Sequence, residues 1–268
     1  MAAGQIIAIA NQKGGVGKTT TAINLGTALA AVGRKVLILD IDPQGNASTG
    51  LGIPAVERSL STYDLIVSQT PLARIRVPTR VPGLDIAPAT TDLSSIDADL
   101  TGEPTRLHRL RRAIRDDSDT GPRGGYDYVL IDCPPSLNIL TLNGMIAAHS
   151  VLVPLQCEFF ALEGLSQLLI TIREVRQTRN AELRTMGIVL TMYDRRNNLS
   201  AQVAADVREN LRDLVFETMI PRNVRLSEAP SHAMPAILYD HTCAGSIAYQ
   251  KLAAELLARE ERALDAVR

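Results

Sequence analysis

The sequence predicts an α/β fold, a mostly parallel twisted sheet with helices on both faces. Three observations point there. Continuous apolar runs of strand length, Ile6 to Ala10, Lys35 to Leu39 and Tyr126 to Asp132, lack polar alternation, as strands covered on both sides do. Stretches of helical periodicity separate the runs, the order a parallel sheet requires. The first run leads through a glycine-rich loop directly into a helix-like stretch, which places a loop at the carboxyl end of a strand. The 268 residues suit one large domain over residues 1–268. No linker, internal repeat or low-complexity tract divides them.

The loop Asn11-Gln12-Lys13-Gly14-Gly15-Val16-Gly17-Lys18-Thr19-Thr20 has the composition of a phosphate cradle. Gly14, Gly15 and Gly17 keep side chains away where backbone N–H groups must turn toward phosphate oxygens. The N-terminus of the following helix adds a positive field. Lys18 places an ammonium on the β- and γ-phosphates, and the Thr19 hydroxyl is a ligand for a bridging Mg²⁺. A plain glycine turn capping a helix is the bland alternative, but a Lys-Thr pair directly after the last glycine disfavours it. Gln12 stands where the general motif has glycine, so the loop has the deviant form KGGxGK[ST], with Lys13 as a second lysine.

Composition narrows the classes. Hydrophobic content of 46% and charged content of 21% are those of globular proteins. No apolar run has the length of a membrane span, and the N-terminus shows no leader pattern, so a cytoplasmic protein is expected. Cys133, Cys157 and Cys243 are far apart without a CxxC pair and are expected to be buried small apolar residues. The net charge of −1 argues against a protein that coats nucleic acid with its whole surface, but allows a local basic patch.

Along the chain, Ala22, Leu25, Leu29 and Val32 form one helical face, and Gly33 ends it. The strand Lys35 to Leu39 delivers Asp40 and Asp42 to the sheet edge. A turn before Pro43 accounts for one of these aspartates; with the loop beside them, chemistry is the favoured reading. Prolines break up residues 51–123, where Leu84 to Pro88 reads as a strand and Leu107, Leu110 and Ile114 as a helical stripe. Arg106, Arg109, Arg111, Arg112 and Arg115 around that stripe read as a solvated face. Gly121 to Gly125 form a turn before the strand that ends at Asp132, a Walker B aspartate for the Mg²⁺ shell. Further on come a strand Val151 to Leu155, a helix Glu158 to Arg179, a strand Met186 to Thr191 and a helix to Leu214. Thr218 to Pro221 is strand-like, and a last helix from Gly245 to about Val267 packs Ile247, Leu252, Leu256 and Leu257 on one side.

The KGGVGKTT loop, the LDIDPQGN and VLIDCPP strand ends and the IPRNVRLSEAP segment together resemble the ParA/Soj branch of the deviant-Walker-A P-loop ATPases, which segregate chromosomes and plasmids. The match covers nearly the whole chain. The resemblance implies that Lys13 reaches across an ATP-dependent homodimer to the partner's phosphates. It assigns ATP to Gly14, Gly15, Val16, Gly17, Lys18, Thr19 and Thr20, with Pro221 and Asn223 at the adenine. Thr19, Asp42 and Asp132 surround the Mg²⁺, Asp42 positions the attacking water, and Asp40 is a supporting carboxylate. Arg196 and Arg225, with Arg195 as an addition, fall where the family binds DNA without reading sequence; surface salt bridges with Asp194 and Glu228 are the competing role. With no Trp and three Phe, contact with duplex phosphates is expected rather than base stacking. The expected protein is a nucleoid-associated ATPase released from DNA when a ParB-type partner stimulates hydrolysis, with no membrane partner. It is expected to lack the N-terminal helix-turn-helix domain of some members. A MinD-type membrane ATPase and an iron–sulfur ATPase of the nitrogenase iron-protein type are the rivals. Ala263 to Arg268 do not supply a basic anchor for the first, and Cys133 and Cys157 lack the cluster context of the second.

Overall fold

The computed structural model describes residues 4–117, 125–158 and 161–265, with side chains of the last helix described up to Arg262. Its centre is a seven-stranded sheet: β1 (Gln5–Ile9), β2 (Val36–Asp40), β3 (Val77–Pro78), β4 (Leu84–Ala87), β5 (Tyr128–Asp132), β6 (Ser150–Gln156) and β7 (Arg184–Thr191). The spatial order is β3-β4-β2-β5-β1-β6-β7, and every pairing is parallel except the edge pair β3–β4. β1 therefore sits between β5 and β6, while the helix after it crosses to β2, beyond β5. Ligands bind outside the carboxyl ends of the strands where successive connections diverge in this way.

Alternation along each strand sends side chains to two cores. Ile7, Ile9, Ile38, Leu84, Ile86, Leu130 and Val189 pack with the helices Lys18–Ala31 and Ala244–Asp265. Ile6, Ala8, Leu37, Leu39, Val129, Ile131, Val153 and Leu190 pack with Arg109–Asp116, Ile139–Ala147, Ala161–Thr178 and Asn198–Leu211. The continuous apolar runs are explained: both faces of the sheet are covered.

Several elements differ from expectation. Val32 caps the first helix and is 60% exposed, because the helix ends at Ala31 and leaves it beyond the last turn. In the last helix Ala248, Tyr249, Leu252 and Leu256 are buried, whereas Ile247 lies off that face and is exposed. Thr218 to Pro221 is not a strand. Phe216 N–H and Ile220 N–H donate to Ile188 O and Leu190 O, but Glu217 and Thr218 give their N–H groups to the Glu255 carboxylate, which interrupts the ladder. The helix expected to reach Leu214 stops at Leu211, where Arg212 takes φ +34° and a single 3₁₀ turn follows. The helix Ile139–Ala147 was not anticipated: it is buried nearly all round, which erases the amphipathic period, and only Asn138 capping Leu140 and Thr141 marks it.

Among the arginines around Leu110 and Ile114, Arg109 is not solvated. Its side chain is 10% exposed, ion-paired with Glu103 and bonded to Val67 O. Cys133 and Cys157 are buried, while Cys243 is only half-buried. Residues 121–124 of the expected Gly121 to Gly125 turn lie outside the described residues. So do Phe159 and Phe160 in the expected helix from Glu158, the expected end near Val267, and the side chains of Ala263 to Arg268. No described helix is long and apolar enough to cross a membrane.

Candidate active site

The glycine loop joins β1 to the helix Lys18–Ala31. Gly17, at φ +89°, caps that helix in the left-handed region that a side chain would strain, and no side chain caps it. The first helical amides are left open toward the loop, the arrangement that favours an anion. Two distant strands fix the loop: Asn11 Nδ2 donates to Pro154 O at 2.8 Å and Thr191 Oγ1 to Val16 O at 2.8 Å. Asn11 Oδ1 also accepts the Lys13 N–H at 3.1 Å.

The two lysines differ sharply. Lys18 is 6% exposed, and its Nζ curls back to donate to Lys13 O at 3.0 Å. Burial lowers its pKa, opposed by Asp132, Cys133 and Asp42. Lys13 stands at the rim with its side chain 45% exposed, 2.5 Å from Glu158 Oε1.

The sheet register brings the carboxylates together, since Asp40 and Ile9 both pair with Asp132. Asp40 is fully buried and hydrogen-bonded on both oxygens: Oδ1 accepts the Asp42 N–H at 3.2 Å, and Oδ2 accepts the Ser48 N–H at 2.9 Å and the Ser48 hydroxyl at 2.6 Å. Burial still outweighs those bonds and pushes its pKa up to about 6. Asp132 is also fully buried, but neither of its oxygens has a hydrogen-bond partner among the described residues. Burial, then the Asp40 charge, holds its carboxyl well above the usual range, opposed by the Thr19 hydroxyl, which approaches it without completing a hydrogen bond of normal geometry, and by the Lys18 charge. Asp42 is 7% exposed and accepts the Gln44 N–H at 3.0 Å.

A bare buried carboxylate is costly unless something cationic reaches it. With the Thr19 hydroxyl and Asp42 it forms a set of hard oxygen donors, which fits Mg²⁺. Among the described residues no group of three or more His, Cys, Asp or Glu could hold a metal alone. Mg²⁺ needs no such cage, because it takes one or two carboxylates and completes its shell with substrate phosphates and water.

Beside the loop is a cleft of about 510 Å³ lined by Gly17, Thr19 and Thr20 on one side and Pro221 and Asn223 on the other. The structure thus joins the two segments assigned to phosphates and adenine. Asn223 Oδ1 accepts the Arg225 N–H at 2.9 Å and caps the short helix Val224–Glu228. Sequence reasoning missed Thr191 and also Asn24, whose Oδ1 accepts the Ala236 N–H at 2.9 Å. It also missed Met192, which lines the cleft at φ +51°. Asn24 stands among apolar residues in its helix, a local signal, but its partner lies 212 residues away.

Arg195, Arg196 and Arg225 are exposed, and the last two are ion-paired. Arg196 forks onto Asp194 through Nε at 3.1 Å and Nη2 at 3.0 Å, which holds the Asp194 carboxyl down at about 2. Arg225 contacts Glu228 at 2.8 Å and Asp240 at 3.5 Å and lies over the Tyr239 ring. Arg195 and Arg196 line a second hollow of about 860 Å³ with Arg222 and Lys251; Pro221 and Arg222 line both hollows, and Arg225 lines neither.

Comparison with known proteins places the chain in a family. A family model described as an AAA domain matches residues 4–185. The chain is 58% identical over 256 residues to the chromosome partitioning protein ParA of Caulobacter vibrioides, covering 96% of this chain and 95% of that one. It is 50% identical to the sporulation initiation inhibitor protein Soj of Bacillus subtilis, covering 95% and 99%. Among solved structures, cobyrinic acid a,c-diamide synthase from Mycobacterium smegmatis with bound ADP and magnesium superposes with a TM-score of 0.82 at 37% identity, over 96% of each chain. At these identities over nearly its full length, the chain belongs to the ParA/Soj family of chromosome-partitioning ATPases.

Proposed function

We propose that this chain is an ATP-driven partition switch: two copies close on ATP, the closed dimer holds duplex DNA of the nucleoid without reading its sequence, and a ParB-type partner triggers hydrolysis and release. The chain is an ATP-hydrolysing enzyme whose cofactor is Mg²⁺. One observation carries the assignment of roles. Asp132 is buried and bare beside Lys18, at the end of a loop whose helix amides are open.

Gly14 to Thr20 wrap the phosphates, and Pro221 and Asn223 border the adenine. Thr19, Asp42 and Asp132 hold Mg²⁺, which neutralises charge on the β- and γ-phosphates. Lys18 meets the transferring phosphoryl group. Asp42 orients a water whose oxygen bonds to the γ-phosphorus while the bond to the β–γ bridging oxygen breaks, leaving ADP and a phosphate that keeps one of the water's protons, the other passing to solvent. Asp40 supports this through the chain, by fixing Ser48 and the residues between.

Lys13 is placed for the partner. Its exposed pair with Glu158 is of a kind that contributes little and is readily exchanged for a phosphate. Arg195, Arg196 and Arg225 supply duplex contacts, and each subunit's acidic neighbours keep that grip weak enough to release. The test is sedimentation and binding to random duplex DNA with ATP, ADP or neither. A dimer that binds DNA only with ATP is expected; a protein that stays monomeric with ATP, or binds equally without it, overturns the reading.

A further inference from the structure

Arg58 lies outside every motif, in the irregular stretch after the short helix Asn46–Gly50. Its guanidinium nevertheless makes four hydrogen bonds to three separate points of the chain. Nη1 donates to Ala89 O at 2.9 Å; Nε and Nη2 donate to Ile53 O at 3.1 and 2.7 Å; Nη2 also donates to Thr49 Oγ1 at 2.7 Å.

These acceptors lead back to Asp42. Thr49 Oγ1 donates to Gly45 O at 3.0 Å, and the Gly45 N–H donates to Asp42 O at 2.9 Å. Gly45 itself runs directly against the guanidinium: a Cβ built there would stand 2.3 Å from Arg58 Nη1, at a backbone φ of +59°. Ala89, just beyond β4, is clipped twice, through its carbonyl to Arg58 and through its N–H to Ser48 Oγ at 3.0 Å. Ser48 is in turn the partner of Asp40. Asn46, Thr49 and Gly50 line the nucleotide cleft, so one guanidinium braces both the Asp42 loop and a cleft wall. Burial presses the Arg58 pKa down and the Asp40 charge opposes it, as for a cation held inside the loop rather than waving in solvent.

We propose that Arg58 is a positioning residue for hydrolysis, its planar fork fixing the loop from Asp42 to Thr49 so that Asp42 is held in register with the phosphate loop. This rests on the reading of Asp42 as the residue that orients water. A lysine retains the charge but cannot make the forked set of bonds. Small displacement of an orienting group costs rate more than affinity.

The experiment compares steady-state ATP hydrolysis, in the presence of duplex DNA, by the parent, Arg58→Lys, Arg58→Ala and Asp42→Ala, each normalised to protein that binds ATP. Both Arg58 variants are expected to lose kcat by about tenfold with KM within about twofold of the parent. Added guanidinium ion, but not ammonium, restores about a third or more of the lost kcat to Arg58→Ala, because the fork and not the charge is missing. If Arg58→Ala does not fold, Arg58→Lys decides. Parental kcat in Arg58→Lys, a rise in KM alone, or a loss that vanishes on normalisation overturns the proposal. Asp42→Ala separates the two claims: normal hydrolysis by that variant sinks the water-orienting role itself, whereas an inactive Asp42→Ala beside a normal Arg58→Lys sinks only the role of Arg58.

Discussion

The ends of β2 and β5 deliver aspartates to the same level of one sheet edge, both fully buried, yet the two ends are opposites. At the end of β2, Asp40 takes hydrogen bonds on both oxygens from Asp42 and Ser48. At the end of β5, Asp132 takes none among the described residues. Both are equally shut away from water, so the difference in hydrogen bonding separates their work. A satisfied carboxylate holds the chain in place, while a bare one awaits a cation. The family resemblance gives both aspartates a supporting part, Asp132 at the Mg²⁺ and Asp40 beside it, but not the reason for the division.

The strongest way to break this contrast is Asp132→Asn. It is expected to cut Mg²⁺-dependent hydrolysis by about 100-fold or more, a barrier of about 3 kcal/mol, without lowering the unfolding midpoint. A steady-state assay and a thermal melt check both halves, and a large loss of stability would show that Asp132 is structural after all. Asp42→Ala sharpens the account from the other side: ATP binding persists and the protein stays on DNA, read by filter binding and by release after ATP is removed.

Asp40→Asn reverses the pattern. An amide there turns a donor toward Ser48 or Asp42, leaving a buried N–H without an acceptor, and is expected to cost about 1–3 kcal/mol in urea unfolding. Mg²⁺ alone discriminates again: at about 100 times its dissociation constant it stabilises the parent by about 2.7 kcal/mol, but not Asp132→Asn.

The smallest expected effects concern the exposed arginines. Arg196 and Arg225 from each subunit, on about four phosphates before any contribution of Arg195, give a log–log salt slope of roughly −4, and Arg225→Ala reduces that slope. Glu228→Gln relieves Arg225 of one partner and tightens DNA binding about twofold, since exposed pairs are worth little.

Much of the frame was legible in the residues. Doubly covered strands read as unbroken apolar runs, and the glycine loop carries its backbone requirements in its own composition, so strand ends and loop were placed correctly. The helix Ile139–Ala147 was missed because burial on nearly every side removes the periodicity that reveals a helix. Thr218 to Pro221 was misread as strand: Ile220 N–H does pair with Leu190 O, but Glu255, from another helix, takes the N–H groups of Glu217 and Thr218 that a ladder would use. At the site, Thr191 and Asn24 support the loop and the cleft through partners far away in sequence, which no local window contains.

The sequence by itself determined which groups are present and in what local order: a glycine loop that only a backbone cradle explains, a lysine and threonine at a helix start, and aspartates at strand ends. Those are properties of neighbouring residues, and local sterics decide them. Only the tertiary structure decided that Asp40 is hydrogen-bonded on both oxygens and Asp132 on neither, that Arg58 ties Ile53 and Thr49 to Ala89, and that Pro221 and Asn223 line one cleft with the loop. Hydrogen-bond satisfaction and burial depend on what the sheet order brings from elsewhere, and that information is spread over the whole chain.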